Sequence, residues 1–112
     1  MAISSTRLKT EKAARVYLSM RGFDILEQNW SLGRYKLDVI AKKNNCIYFI
    51  SLNYQTNTLP QNPLFDSSEH NKRQLAAEAW LVETKWDAKY VFSTIEIVGQ
   101  DFTVVGFNDD LI

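Results

Sequence analysis

Cysteine is nearly absent from this chain of 112 residues: Cys46 is the only one. A lone cysteine in an apolar, alternating stretch excludes a disulfide framework and fits a reducing compartment. Histidine is as scarce, with His70 alone. No cysteine or second histidine stands at ligand spacing from it, so a zinc site lacks its donor set. The plain reading of His70 is a solvated side chain near a helix start. The four glycines (22, 33, 99 and 106) are scattered, which excludes a Gly-rich phosphate loop. No apolar run approaches the roughly 18 residues of a membrane helix. Arg7, Lys9, Glu11 and Lys12 interrupt the N-terminal stretch, which therefore lacks the apolar core of a signal peptide. A cytoplasmic protein is expected.

Apolar side chains are abundant, at 46% of residues with 12% aromatic, which excludes a disordered chain. The length suits one domain over residues 1–112. Net charge is zero, yet residues 1–45 carry +5 and residues 46–112 carry −5. Such a dipole would steer the basic half toward phosphate. The candidate contacts to nucleic acid are Arg7, Lys9, Lys12, Arg15, Arg34, Lys42 and Lys43, with Lys72 further on. A solvated surface with chance clustering explains the same charges.

Spacing predicts a helix from Ser4 or Ser5 to Arg21, with Ala13, Val16, Tyr17 and Met20 inward and Ala14 and Leu18 widening that face. Gly22 is placed to end it. Strands follow over Phe23–Trp30, Arg34–Lys42 and Cys46–Asn53, joined by Ser31-Leu32-Gly33 and Lys43-Asn44-Asn45. In the second, strict alternation puts Tyr35, Leu37, Val39 and Ala41 on one face and Lys36, Asp38 and Ile40 on the other. Three short-linked strands after a helix suggest an antiparallel meander with the helix on one face. Tyr54–Ser67 is a long polar connection of the kind that is often functional. A second helix is predicted from Asp66–Ser68 to Lys85, with Leu75, Ala76, Ala79, Trp80 and Val82 inward. Two strands, Lys89–Val98 and Phe102–Phe107, close the order αβββαββ around a turn at Gly99-Gln100.

Two carboxylates stand out. Glu11 lies on the first helix, partly on its apolar face, and Asp38 lies in mid-strand, where an unpaired charge is costly. Converging, they could bind a divalent cation. Alternatively Glu11 sits at the helix's polar edge and Asp38 pairs with a lysine, and spacing alone favours this second reading.

The stretch Glu11-Lys12-Ala13-Ala14-Arg15-Val16-Tyr17-Leu18 matches the pattern E-x-x-A-x-x-Y-L. Gly22-Phe23-Asp24-Ile25-Leu26-Glu27-Gln28-Asn29-Trp30 matches a G-y/f-x-I-L-x-x-N-W stretch. Tyr35–Ala41 stands where that pattern continues as G-E-I-D-L-I-A, and Phe49–Asn53 where it has F-V-E-V-K. Together, over about residues 11–55, these resemble the YraN family, small proteins of the PD-(D/E)XK superfamily. Lys72 and Ala79-Trp80-Leu81 loosely resemble its second helix, and the likeness fades after Trp86. The resemblance implies an α/β, restriction-endonuclease-like core in which a mixed sheet is flanked by helices.

The departures bear on activity. The resemblance implies a metal held by the Asp of G-E-I-D and the Glu of E-V-K, with the Lys activating water or steadying phosphoryl charge. Here Glu11 and Asp38 remain, whereas Ser51 replaces the strand Glu, Asn53 the Lys, and Lys36 the Glu of G-E-I-D. An ammonium about 4 Å from Asp38 would oppose a divalent cation by several kcal/mol at an effective dielectric near 20. The site residues Glu11, Lys36, Asp38, Ser51 and Asn53 are therefore expected to be vestigial, with Lys36 in a salt bridge to Asp38. No catalytic residue is expected to be intact and no cofactor is expected. Mg²⁺ or Mn²⁺ on Asp38 and Glu11 would serve only an active form, with Lys36, Lys72 or Glu69 standing in for lost groups. Three functions remain open: a nuclease-fold domain that binds DNA or RNA without cutting, a protein-interaction module extending a sheet edge, and an active metal-dependent endonuclease. Tyr54, Gln55 and Asn57 could add nucleic-acid contacts, while Trp30, Trp80 and Trp86 are expected in the core or at its rim.

Overall fold

The computed structural model describes residues 5–55 and 67–110. Its elements are α1 (Ser5–Met20), β1 (Asp24–Leu32), β2 (Tyr35–Lys43), β3 (Cys46–Gln55), α2 (Ser67–Thr84), β4 (Lys89–Val98) and β5 (Thr103–Asp110). The strands form one mixed sheet in the order β1-β2-β3-β4-β5. β1, β2 and β3 make the expected antiparallel meander, β4 joins β3 in parallel after the crossover through α2, and β5 returns antiparallel on β4. Most of the loop predicted over Tyr54–Ser67, including Asn57, lies outside the described residues, whereas Tyr54 and Gln55 complete β3.

A helix covers each face, and the strands show why. Val39, Ala41, Ile50, Ile95 and Ile97 pack under Ala14 and Leu18 of α1. Their neighbours Ile40, Ile47, Phe49 and Phe92 point the other way, against Ala76, Ala77 and Trp80 of α2. Alternate residues of one strand address opposite faces, so central strands apolar at every position need cover on both sides. Trp80 is a core residue, and Trp30 and Trp86 lie at its rim, as expected.

The inward stripe of each helix differs in part from the expected one. On α1 it runs Thr10, Ala14, Leu18, with Ala13 and Tyr17 half-buried; Val16 and Met20 are exposed. On α2 it runs Ala76, Ala77 and Trp80, with Leu75 and Val82 exposed. Ala13, Ala14, Tyr17, Leu18, Ala76 and Trp80 pack inward as expected, whereas the expected Val16, Met20, Leu75 and Val82 turn to solvent.

Chain reversals are tight. Gly22, with φ +86°, ends α1: its N–H donates to Ser19 O and that of Phe23 to Leu18 O, satisfying carbonyls the helix leaves open. The same pair of bonds closes α2 at Lys85 and Trp86, although Lys85 holds φ +58° without glycine's freedom. The first strand turn is Gly33-Arg34, one residue later than expected, and Asn44-Asn45, both at positive φ, form the second. The last turn takes four residues, 99–102, where two were expected. There the Gly99 N–H donates to Gln55 O, the Tyr54 hydroxyl donates to Gly99 O, and Phe102 stacks on Tyr54.

Candidate functional site

The site is made by one irregular step of the sheet. Trp30 pairs with Leu37 and Gln28 with Val39, so Asn29 and Asp38 share the step between them. Leu37 and Trp30 pack on the α2 side, but Val39 packs under α1, and the Gln28 amide donates to the Glu11 carbonyl of α1. Both strands thus change face at this step, Asn29 with a left-handed φ of +53° that asparagine tolerates. The expected single face for Tyr35, Leu37, Val39 and Ala41 is corrected accordingly.

Beside that step β2 parts from β3. Their pairing runs from Lys43–Cys46 only as far as Val39–Ile50. Continued for two more positions, that register would pair Asp38 with Ser51 and Leu37 with Leu52. Instead the Leu52 N–H donates to Asp38 Oδ2 at 2.9 Å, so the carboxylate takes over a bond of the abandoned ladder. Asp38 and Glu11 then line one cavity of about 280 Å³ with Thr6, Arg7, Thr10, Leu52 and Tyr54. Thr10 belongs there because its side chain is buried and its hydroxyl donates to Thr6 O at 2.7 Å. A polar member of the Thr10-Ala14-Leu18 stripe was the signal that sequence reading missed.

The cation beside these carboxylates is Arg7, not Lys36. Arg7 Nε lies 3.2 Å from Glu11 Oε2, one helical turn on, and the guanidinium also donates to Asn29 Oδ1. Among the described residues Lys36 makes no ion pair with Asp38, and it lies elsewhere. Asp38 turns into the cavity under α1 while Lys36 lines a groove with Lys72 and Arg73 of α2, so the two do not share one strand face. Ser51 and Asn53 are absent from the cavity lining. Ile50 and Leu52 face α1, so Ser51 and Asn53 alternate onto the sheet's other face, beside Thr94 and Glu96 of β4.

The fit of Mg²⁺ or Mn²⁺ can be judged from these donors. Two carboxylates meet in the cavity, but one accepts a backbone N–H and the other is paired with a guanidinium. No three of His, Cys, Asp and Glu among the described residues gather closely enough to hold a metal. As arranged, these residues do not fit a divalent ion. The side chains of Glu69 and His70 lie outside the described residues.

The basic residues sort into several places. Lys9 lies over Phe102, and Lys12 lines a shallow groove beside it with Val16, Met20 and Asp101; Arg15 is exposed on the same helix. Lys42 lies over Trp86, while Lys43 lies over Phe23 and donates to Arg21 O at 2.7 Å. Lys9 and Lys12 thus share one groove with Asp101, and Arg34 and Lys72 come together in another. Arg34 and Lys72 line this second groove, of about 520 Å³, with Lys36 and Arg73, Tyr35 and Leu75. No carboxylate lines it among the described residues. Arg73 was overlooked in the sequence; its guanidinium lies over Phe92 and donates to Ser93 O at 3.5 Å, which fixes it against the sheet.

Comparison with known proteins adds a family. The description "Uncharacterised protein family UPF0102" matches residues 10–105, running from mid-α1 into β5 and well past Trp86. The chain belongs to the UPF0102 family. A UPF0102 protein of Cytophaga hutchinsonii is 29% identical over 96 residues, covering 84% of this chain and 85% of the relative. One from Bacteroides thetaiotaomicron is 29% identical over 93 residues, covering 81% and 77%. One from Lachnoclostridium phytofermentans is 34% identical, but over only 50 residues, 45% of this chain and 42% of the relative. No helix among the described residues of this UPF0102 member is long and apolar enough to cross a membrane.

Proposed function

We propose that this UPF0102 chain is a nuclease-like domain that no longer cuts and instead binds nucleic acid. The motif likeness to the YraN group supplies the nuclease ancestry and the restriction-endonuclease-like core. A mixed five-stranded sheet between two helices is compatible with that core. The observation that carries the loss of cutting is the occupied pair of carboxylates: Asp38 is taken up by the Leu52 amide and Glu11 by Arg7. A guanidinium near the two acids contributes positive charge where a divalent ion would need an unopposed negative field. At an effective dielectric near 20 one unit charge about 4 Å away is worth about 4 kcal/mol. Binding is supported by the groove of four cations, since phosphate contacts need cations and amides rather than a reaction centre.

The test joins a thermal-shift titration with Mn²⁺ and Mg²⁺ to cleavage and binding assays on the native chain and Asp38→Asn. No saturable rise in melting temperature, no cleavage of single-stranded, duplex or branched DNA, and salt-dependent binding are expected. Divalent-dependent cleavage abolished in Asp38→Asn would establish an active endonuclease with relocated groups. Absence of nucleic-acid binding, with a protein partner co-purifying, would favour the interaction-module reading.

A further inference from the structure

From the geometry of the second groove we infer that the ligand class is single-stranded nucleic acid, held at Arg34, Lys36, Lys72 and Arg73 with one base against Tyr35; this rests on the binding reading above. Arg34 and Lys36 stand on either side of Tyr35 at the β1–β2 turn, and Lys72 and Arg73 face them from α2. Arg34 and Lys36 are exposed beside Tyr35, and no carboxylate lines the groove among the described residues, so its β-strand wall presents positive charge to a phosphate chain. Arg73 is anchored to β4 through Ser93 O and the Phe92 ring, which gives that wall a fixed position.

Tyr35 decides between strands and duplex. Its ring is half-buried, packed on the α2-side core, and lines the groove between the flanking cations. In a duplex the base faces are stacked on one another and closed to a side chain. In a single strand they are free, and stacking on an aromatic ring tolerates any base. Cations flanking a ring held in place by the core therefore suit an unpaired strand of no fixed sequence. The groove lies on the α2 side of the sheet, away from the Glu11–Asp38 cavity under α1, so binding there does not call on the former reaction centre.

Fluorescence anisotropy with a labelled 20-nucleotide oligothymidylate and a 20-base-pair duplex tests this across a salt series. Variants are Arg34→Ala/Lys36→Ala, Tyr35→Leu and Tyr35→Phe, each checked by thermal melting. The native chain is expected to bind the single strand more tightly than the duplex. Removing Arg34 and Lys36, both exposed, should weaken binding about tenfold or more and lower the salt slope by roughly 1.4, about 0.7 per phosphate contact. Tyr35→Leu should weaken it by about fivefold or more with the slope unchanged, and Tyr35→Phe should retain it. Native binding to the single strand that is indifferent to Arg34 and Lys36 would overturn the groove assignment and leave the broader binding function standing. A preference for duplex would overturn the single-strand assignment. No binding by the native chain to either probe would overturn the binding function itself, and this inference with it.

Discussion

The two faces of the sheet use their polar residues in opposite ways. Under α1, the cavity holds two carboxylates, and each is satisfied within the protein, by the Leu52 amide and by Arg7. Under α2, the groove holds four cations, and two of them, Arg34 and Lys36, extend from an exposed turn. A half-buried acid that accepts a backbone N–H contributes to the fold, because removing it would leave that N–H without its acceptor. An exposed cation contributes little to the fold and is free to meet a ligand. The contrast teaches where to look for binding: at the groove whose rim carries the exposed Arg34 and Lys36.

The cores behind the two faces bound the largest effects. Phe49 is buried on the α2 side and meets Trp80, Tyr90 and Phe92 edge-on or tilted. Truncating it to alanine should cost roughly 3–5 kcal/mol, and Leu18→Ala on the α1 side roughly 2–5 kcal/mol, read from urea unfolding. A clearly smaller loss at Leu18 would mean that α1 is the looser layer, with its cavity able to collapse. Asp38 comes next. Asp38→Ala leaves the Leu52 N–H without its acceptor and should cost about 1–3 kcal/mol, while Asp38→Asn keeps an acceptor and should cost less. Equal losses in both variants would show that the charge, and not the hydrogen bond, is what the fold uses.

Smaller effects compare the two helix ends, which share one closing geometry with different residues. Gly22→Ala puts a side chain at φ +86° and should destabilise by about 1–2 kcal/mol. Lys85→Gly should stabilise by up to about 1 kcal/mol by relieving the same conformation. A neutral result at Lys85 in thermal melts would mean that its side chain makes up the difference. The smallest change is expected at Arg7. Its pair with Glu11 is largely solvated, so Arg7→Gln should alter stability by less than about 1 kcal/mol.

Much of the fold could be read along the chain, and the reason is periodicity. The seven elements and their order followed from apolar spacing and from punctuation such as Gly22 and Asn44-Asn45, which act through local backbone sterics. The convergence of Glu11 and Asp38 on one place was among the readings the spacing allowed, and the structure realises it. The pairing of Asp38 with Lys36 was not realised. It assumed unbroken alternation, and the face change at Asn29–Asp38 arises from two strands kinking together, which neither strand's sequence displays alone. Likewise the lysines and arginines counted as one basic half are separated by the sheet, and Arg73 joins Arg34 only because α2 crosses over β2.

What the sequence by itself determined is the set of elements and their order, since these depend on residue identity and near neighbours. The tertiary structure alone decided which charges meet. Arg7 reaches Asn29 across 22 positions and Asp38 reaches the Leu52 amide across 14, contacts set by how strands part and helices dock. Distances of that kind are fixed only when the two faces of the sheet are both covered.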